Sequence, residues 1–133
     1  MTGTPNIMNT TISSTIKATP PTHPYNEIKE RILGKRYELS LVFIGPTRAH
    51  TLNLTNRNKD YVPNVLSFPL DAGTGEIYIC PTVAKREAKK FNLTPEGYIA
   101  YLFIHGLLHL KGHDHSDTME KLERKYLRTF NIS

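Results

Sequence analysis

Near the C-terminal end of the chain runs HGLLHLKGHDH, residues 105–115. Its His105, His109 and His115 stand at i, i+4 and i+10, with Gly112 between the second and third. Positions i and i+4 of an α-helix share a face one turn apart, so His105 and His109 can offer imidazole nitrogens to one ion. Gly112 tolerates the left-handed backbone that reverses a chain after a helix, and that reversal can return a third ligand to the ion. Three histidines leave a fourth position for water, the layout of a catalytic zinc site rather than a structural one. The spacing is that of the metalloprotease motif H-E-x-x-H-x-x-G-x-x-H, yet Gly106 stands where that motif keeps its general-base Glu.

A lone histidine on a buried helix is usually a hydrogen-bonded core residue. Three at this spacing, with the glycine, make a metal the expected reading. His113 competes for the third place, and its offset from His115 points it elsewhere, so His115 is preferred. Asp114 can orient a ligand from behind, cap a helix, or simply be exposed. No other carboxylate stands at a spacing that would set it beside the ion.

These residues need a scaffold. A chain of 133 residues makes one domain with a real core. Residues 1–6 read as a loose tail and 7–133 as the domain. The 38% hydrophobic and 22% charged content is that of a soluble globular protein. One cysteine, Cys80, excludes an internal disulfide framework and fits a reducing compartment. Ending the apolar run IYIC, it reads as a buried strand residue. No apolar run is long enough to span a membrane and no secretory h-region leads the chain, so a cytoplasmic location is expected. Net charge +5 and a pI near 9.4 favour an acidic partner.

Polar β-branched residues over 7–17 suit an edge strand. Tyr25, Ile28 and Ile32 then follow at helical spacing, with Gly34 as a stop, giving a helix over 24–33. YELSLVFI (37–44) alternates Leu39, Leu41 and Phe43 against Glu38 and Ser40 and reads as a strand. A helix over 46–56 precedes the polar NRNKDYVP. VLSF (65–68) and EIYIC (76–80) are short strands joined by the turn DAGTG. Pro81 opens a helix to about residue 91. Thr94 and Pro95 are N-cap and N1 residues for a helix to Leu110, apolar almost all round and therefore central. Gly112 ends it, and a last helix over 117–129 turns Met119, Leu122 and Tyr126 inward. The order β-α-β-α-β-β-α-α-α predicts an α+β domain, a small sheet covered by helices with the metal site on the central one.

At this point the chain resembles a known family. HGLLHLKGHDH is similar to the H-G-x-L-H-L-x-G-[Y/H]-D-H signature of the YbeY-type endoribonucleases, the rRNA maturation factors. LNLTNRNKDYVPNVLSFP (52–69) resembles that family's second signature, L-N-x-x-x-R-x-x-D-x-x-T-[DN]-V-L-S-F-P. GEIYIC and MEKLERKYL continue the match, which covers roughly 36–130. The resemblance implies a four-stranded mixed sheet, one zinc ion per chain on His105, His109 and His115, and a functional arginine at Arg57. It implies cleavage of single-stranded RNA and a part in maturing the 3′ end of small-subunit ribosomal RNA, with the small ribosomal subunit as partner. DNA and membranes are not expected as partners. Three positions depart from the pattern: Pro63 replaces Thr, His113 replaces the commoner Tyr, and the loop after VLSFP is short.

Gly106 then makes chemical sense. Phosphodiester cleavage can lean on electrostatics, with zinc acidifying water and a guanidinium holding the extra charge of the phosphorane. Arg57 has the planar fork for that task, although by sequence alone it is a solvated loop arginine. Asp60 can pair with Arg57 or cap a turn. Ser67 can line the cleft or fill a strand position. Lys85, Arg86, Lys89 and Lys90 form two i, i+4 rows on one face, either a phosphate track or a solvated surface. No aromatic interleaving marks a base-stacking platform, so strong sequence preference is not expected. Two other classes remain in view. A non-catalytic ribosome-assembly factor would carry a structural metal, and a metalloprotease would need the missing Glu.

Overall fold

The computed structural model describes residues 10–16 and 23–133. The tail expected over 1–6, and both ends of the strand expected over 7–17, lie outside them. The order of elements is β1 (Thr10–Ser14), α1 (Tyr25–Leu33), β2 (Glu38–Phe43), α2 (Pro46–Arg57), β3 (Val65–Asp71), β4 (Thr74–Ile79), α3 (Pro81–Ala88), α4 (Pro95–Leu110) and α5 (Asp117–Thr129). The strands form one mixed sheet in the order β1-β2-β4-β3. β1, β2 and β4 run parallel, while β3 pairs antiparallel with β4. The α+β expectation holds, and so does the edge position of β1.

Strand alternation sorts the side chains. Leu39, Leu41 and Phe43 of β2, with Ile77 and Ile79 of β4, enter the main core against α1 and α4. Their neighbours Val42, Ile44, Tyr78 and Cys80 join a smaller cluster with Ala49 and Leu52 of α2 and Val83 of α3. Helices therefore cover both faces, and α4 takes the central place that its nearly all-round apolar surface requires. Ile104, Leu107 and Phe103 of this helix are fully buried.

After β2, three elements depart from expectation by more than one residue. β3 continues through Pro69 to Asp71. It is an edge strand, where the N–H that proline lacks has no ladder partner to serve. β4 begins at Thr74 and ends at Ile79, so Cys80, though buried, sits at the N-cap of α3 instead of in the strand. The helix expected to run to 91 stops at Ala88, and Lys89–Phe91 form a 3₁₀ turn closed by Asn92 at φ 59°. The two basic rows are thus not carried on one continuous α-helix.

Candidate metal centre and its cleft

Each histidine is placed by a local device. Thr94 Oγ1 accepts from the Gly97 N–H at 3.0 Å and starts α4, which carries His105 and His109 on its last two turns. At the other end Gly112 adopts φ 107°, and the His113 N–H donates to the Leu108 carbonyl at 3.0 Å. That reversal returns the chain past the helix end. Ser116 then caps α5, accepting from the Met119 N–H at 3.2 Å, so His115 is held between a helix stop and a helix start.

The result is a triangle of rings. Centroids lie 4.5 Å apart for His105 and His109, 5.0 Å for His105 and His115, and 4.9 Å for His109 and His115. One nitrogen from each lies within 4.8 Å of the other two. His113 is not part of this group. It contributes its backbone carbonyl, which accepts from His109 Nδ1 at 3.0 Å.

Behind His105 stands Glu123, 5% exposed, with Oε2 2.6 Å from Nδ1. A carboxylate and a carbonyl both only accept, so Nδ1 carries the proton in His105 and in His109. Their Nε2 atoms lie 3.0 Å apart and face each other across the site. With both rings neutral, these two nitrogens and one from His115 converge as the donor set that a shared cation takes. Burial first, and next the adjacent His105, hold His109 below the ordinary imidazole range, which keeps it in the neutral form a metal needs. The donor set fits zinc, which takes imidazole nitrogen readily.

The histidines open onto a cleft of about 820 Å³. Arg57 lines it from the opposite chain segment, at the last residue of α2. Its Nη1 donates to Asn53 Oδ1 at 3.0 Å, and Asn53, fully buried, donates in turn to the Tyr61 carbonyl at 3.0 Å. Asn53 therefore ties the loop after α2 to the helix and leaves the rest of the guanidinium for the cleft. Pro63 is buried and lines the cleft, so the Thr-to-Pro departure falls within it.

Ser67 also lines the cleft, and its Oγ–H donates to the Gly106 carbonyl at 3.2 Å. A Cβ on Gly106 would sit 2.8 Å from Ser67 Oγ and 3.0 Å from Ile77 Cδ1. Position 106 thus faces the sheet, where α4 packs closely, and a Glu has no room there.

Some readings that the sequence left open take one form here, and others need correcting. Asp60 does not pair with Arg57. Its carboxylate meets His50 Nε2 at 2.7 Å, an exposed pair outside the cleft. Of the three readings open for Asp114, exposure is the one seen: it makes no hydrogen bond to the three histidines, whose acceptors are Glu123 and the His113 carbonyl. The expected lack of other carboxylates also fails, because Asp117, Glu120 and Glu123 of α5 line the cleft. Lys85, Arg86, Lys89 and Lys90 are exposed, as expected, and none of them lines it. Finally, aromatic rings do gather here. Phe91, Tyr98 and Tyr101 pack with planes 23–25° apart and centroids 5.0–6.1 Å apart, and all three line the cleft with Tyr61.

The residues that sequence reasoning missed had signals. Glu123 interrupts the inward stripe of Met119 and Tyr126, an acid where apolar residues are due. Tyr98, Tyr101, His105 and His109 lie at i, i+3, i+7 and i+11, one face of α4. Asn53 stands one turn before Arg57 on α2.

The fold and site together define a small α+β protein with a three-histidine centre, supported from behind, at the floor of a polar and aromatic cleft. Residues 6–131 match the family described as Endoribonuclease YbeY. A protein of that name from Bdellovibrio bacteriovorus is 41% identical over 99 residues, covering 73% of this chain and 63% of its own length. One from Neisseria meningitidis is 38% identical over 107 residues, with 71% and 63% covered. The chain thus spans less than two thirds of the length of these relatives. The solution structure of TM1509 from Thermotoga maritima superposes with a TM-score of 0.64 at 30% identity, over 89% of this chain and 86% of that one. The chain belongs to the endoribonuclease YbeY family.

Proposed function

We propose that this chain is a single-strand-specific, metal-dependent endoribonuclease of ribosomal RNA processing, acting at the 3′ end of small-subunit rRNA within a single domain over 7–133. Its partners are ribosomal RNA and the small ribosomal subunit, in the cytoplasm. The observation that carries the reading is that Arg57 and the three histidines, 48 to 58 residues apart in sequence, line one cleft. The relatives' shared name, Endoribonuclease YbeY, supports it. So does the absence, among the described residues, of any helix long and apolar enough to cross a membrane.

In this reading His105, His109 and His115 hold one zinc ion per chain. When bound, zinc supplies Lewis-acid polarisation of a phosphoryl oxygen and brings the pKa of water down to about 7. Glu123 and the His113 carbonyl engage Nδ1 of the two helical imidazoles, orient the rings and turn their Nε2 atoms toward the ion site. Arg57, aimed by Asn53, binds the phosphate through its fork and holds the charge that develops on the phosphorane. Asp117 and Glu120 line the same cleft.

The test offers metal-loaded protein unstructured RNA, the matching RNA duplex, the matching DNA and a casein peptide pool, each with and without chelator. Only the unstructured RNA should be cut, and chelator should stop it. Arg57→Ala should keep fold and metal and lose roughly 10²-fold in rate, the scale for one preorganised charge donor. Arg57→Lys should recover little, because a point charge does not replace the fork. Chelator-sensitive peptide cleavage that survives Arg57→Ala would make the protein a protease. RNA binding with no cleavage would make it an assembly factor.

A further inference from the structure

The aromatic cluster has no part in holding the ion. Tyr98 and Tyr101 are locked from below: the Tyr98 O–H donates to Glu87 Oε1 at 2.9 Å, and the Tyr101 O–H donates to Glu123 Oε1 at 3.2 Å. Phe91 has no polar atom to tether. It rests on these two rings, 5.0 Å from Tyr98 and 6.1 Å from Tyr101, with planes within 25° of parallel. Tyr98 is 2% exposed, whereas Phe91 is 52% exposed. One side of the ring is therefore backed by fixed aromatics while the ring remains open to solvent.

Its position is as telling as its exposure. Tyr101 lies 6.3 Å from His105, so two ring-to-ring steps connect Phe91 to the histidine centre along one cleft wall. Asn92, left-handed at φ 59°, ends the 3₁₀ turn and holds Phe91 at the corner. Lys89 and Lys90, both exposed, precede it in that same turn. Exposed cations beside a backed, open aromatic face are the two components by which proteins hold single-stranded nucleic acid. The cations meet phosphates, and the ring takes any base because every base has a π-face.

We propose that Phe91 is the stacking platform for a nucleobase close to the reacting phosphate of a single-stranded RNA, with Lys89 and Lys90 meeting the backbone beside it. This rests on the nuclease reading above and names how its substrate is gripped. A duplex hides its base faces in its own stack, so the platform also accounts for a preference for unpaired strands. Stacking tolerates every base, so it adds affinity with little sequence choice.

The test uses metal-loaded full chain and a single-stranded oligoribonucleotide carrying 2-aminopurine, mixed by stopped flow and read before turnover. Wild type should bind and quench the fluorescent base. Phe91→Trp should keep both properties. Phe91→Leu retains apolar bulk but no π-face, and should lose the quench and roughly tenfold in affinity, with metal content unchanged. An oligomer abasic at the stacked position should lose a similar factor on wild type, a comparison that needs no variant to fold. Leu-variant binding and quenching equal to wild type would overturn the platform alone, as would indifference of wild type to the abasic site. Wild type that binds no RNA would overturn the platform and the nuclease reading together.

Discussion

Glu123 and His105 are joined at 2.6 Å, a carboxylate 18 residues downstream fixing the ring that begins the histidine motif. The same carboxylate accepts from Tyr101, so one buried acid aligns both the centre and the wall beside it. Glu123→Gln should weaken metal affinity by about 10–100-fold, the usual cost of losing a carboxylate behind a ligating histidine. Competition against a chromophoric chelator measures it. Affinity equal to wild type would mean that Glu123 supports the fold and not the centre.

The two histidines near the end of the motif should separate cleanly. His115→Ala should lose stoichiometric metal and melt at a lower temperature, because ligand loss removes binding energy coupled to folding. His113→Ala should keep a full equivalent, since position 113 serves through its backbone carbonyl. Metal analysis of the two purified proteins, with a melting curve for each, decides the matter. The reverse pattern would exchange their roles.

Restoring the protease residue should not restore a protease. A Gly106→Glu side chain would be driven between Ser67 and Ile77, where a Cβ alone already makes contacts of 2.8 and 3.0 Å. It would also bury a carboxylate without a partner. A stability loss on the order of 3 kcal/mol or more is expected, read from urea unfolding. A variant as stable as wild type that cleaves casein would show that position 106 faces the ion instead.

Alkali should unfold the protein earlier than its cores alone would suggest. Burial first, then the charge and hydrogen bond of Glu123, push the Tyr101 hydroxyl up to about 12, and burial likewise raises Tyr98 and Tyr25. In the unfolded chain these hydroxyls ionise near 10.0. Between those values the folded state holds protons that the unfolded state has released. Stability is therefore fully present below pH 10 and falls as pH rises toward 12. Lys29, lowered by burial, acts in the opposite sense only below its unfolded value of 10.5. The urea midpoint should drop through this range, with tyrosine absorbance rising at the unfolding transition. A flat midpoint would place these hydroxyls in water.

The spacing of HGLLHLKGHDH by itself determined that His105 and His109 share a helix face and that the chain turns back after Gly112, because both are local consequences of helical pitch and glycine's backbone freedom. Alternation did the same for β2, whose Leu39, Leu41 and Phe43 all reach the main core. What acts between distant segments was decided only by the tertiary structure. Glu123 reaches His105 because α5 folds back along α4. Asp60 meets His50 and not Arg57 because the left-handed Asn58 turns the loop after α2. Lys29 reads as one more surface lysine, yet it is fully buried, its Nζ donating to the carbonyls of Gly34, Lys35 and Tyr37 at 3.3, 3.3 and 2.8 Å. The stripe of Tyr98, Tyr101 and His105 was present in the sequence, but it took the 3₁₀ turn to lay Phe91 upon it. Periodicity tells which residues share a face. Which faces meet depends on packing across the whole chain, and a buried polar group survives only where that packing brings its partner.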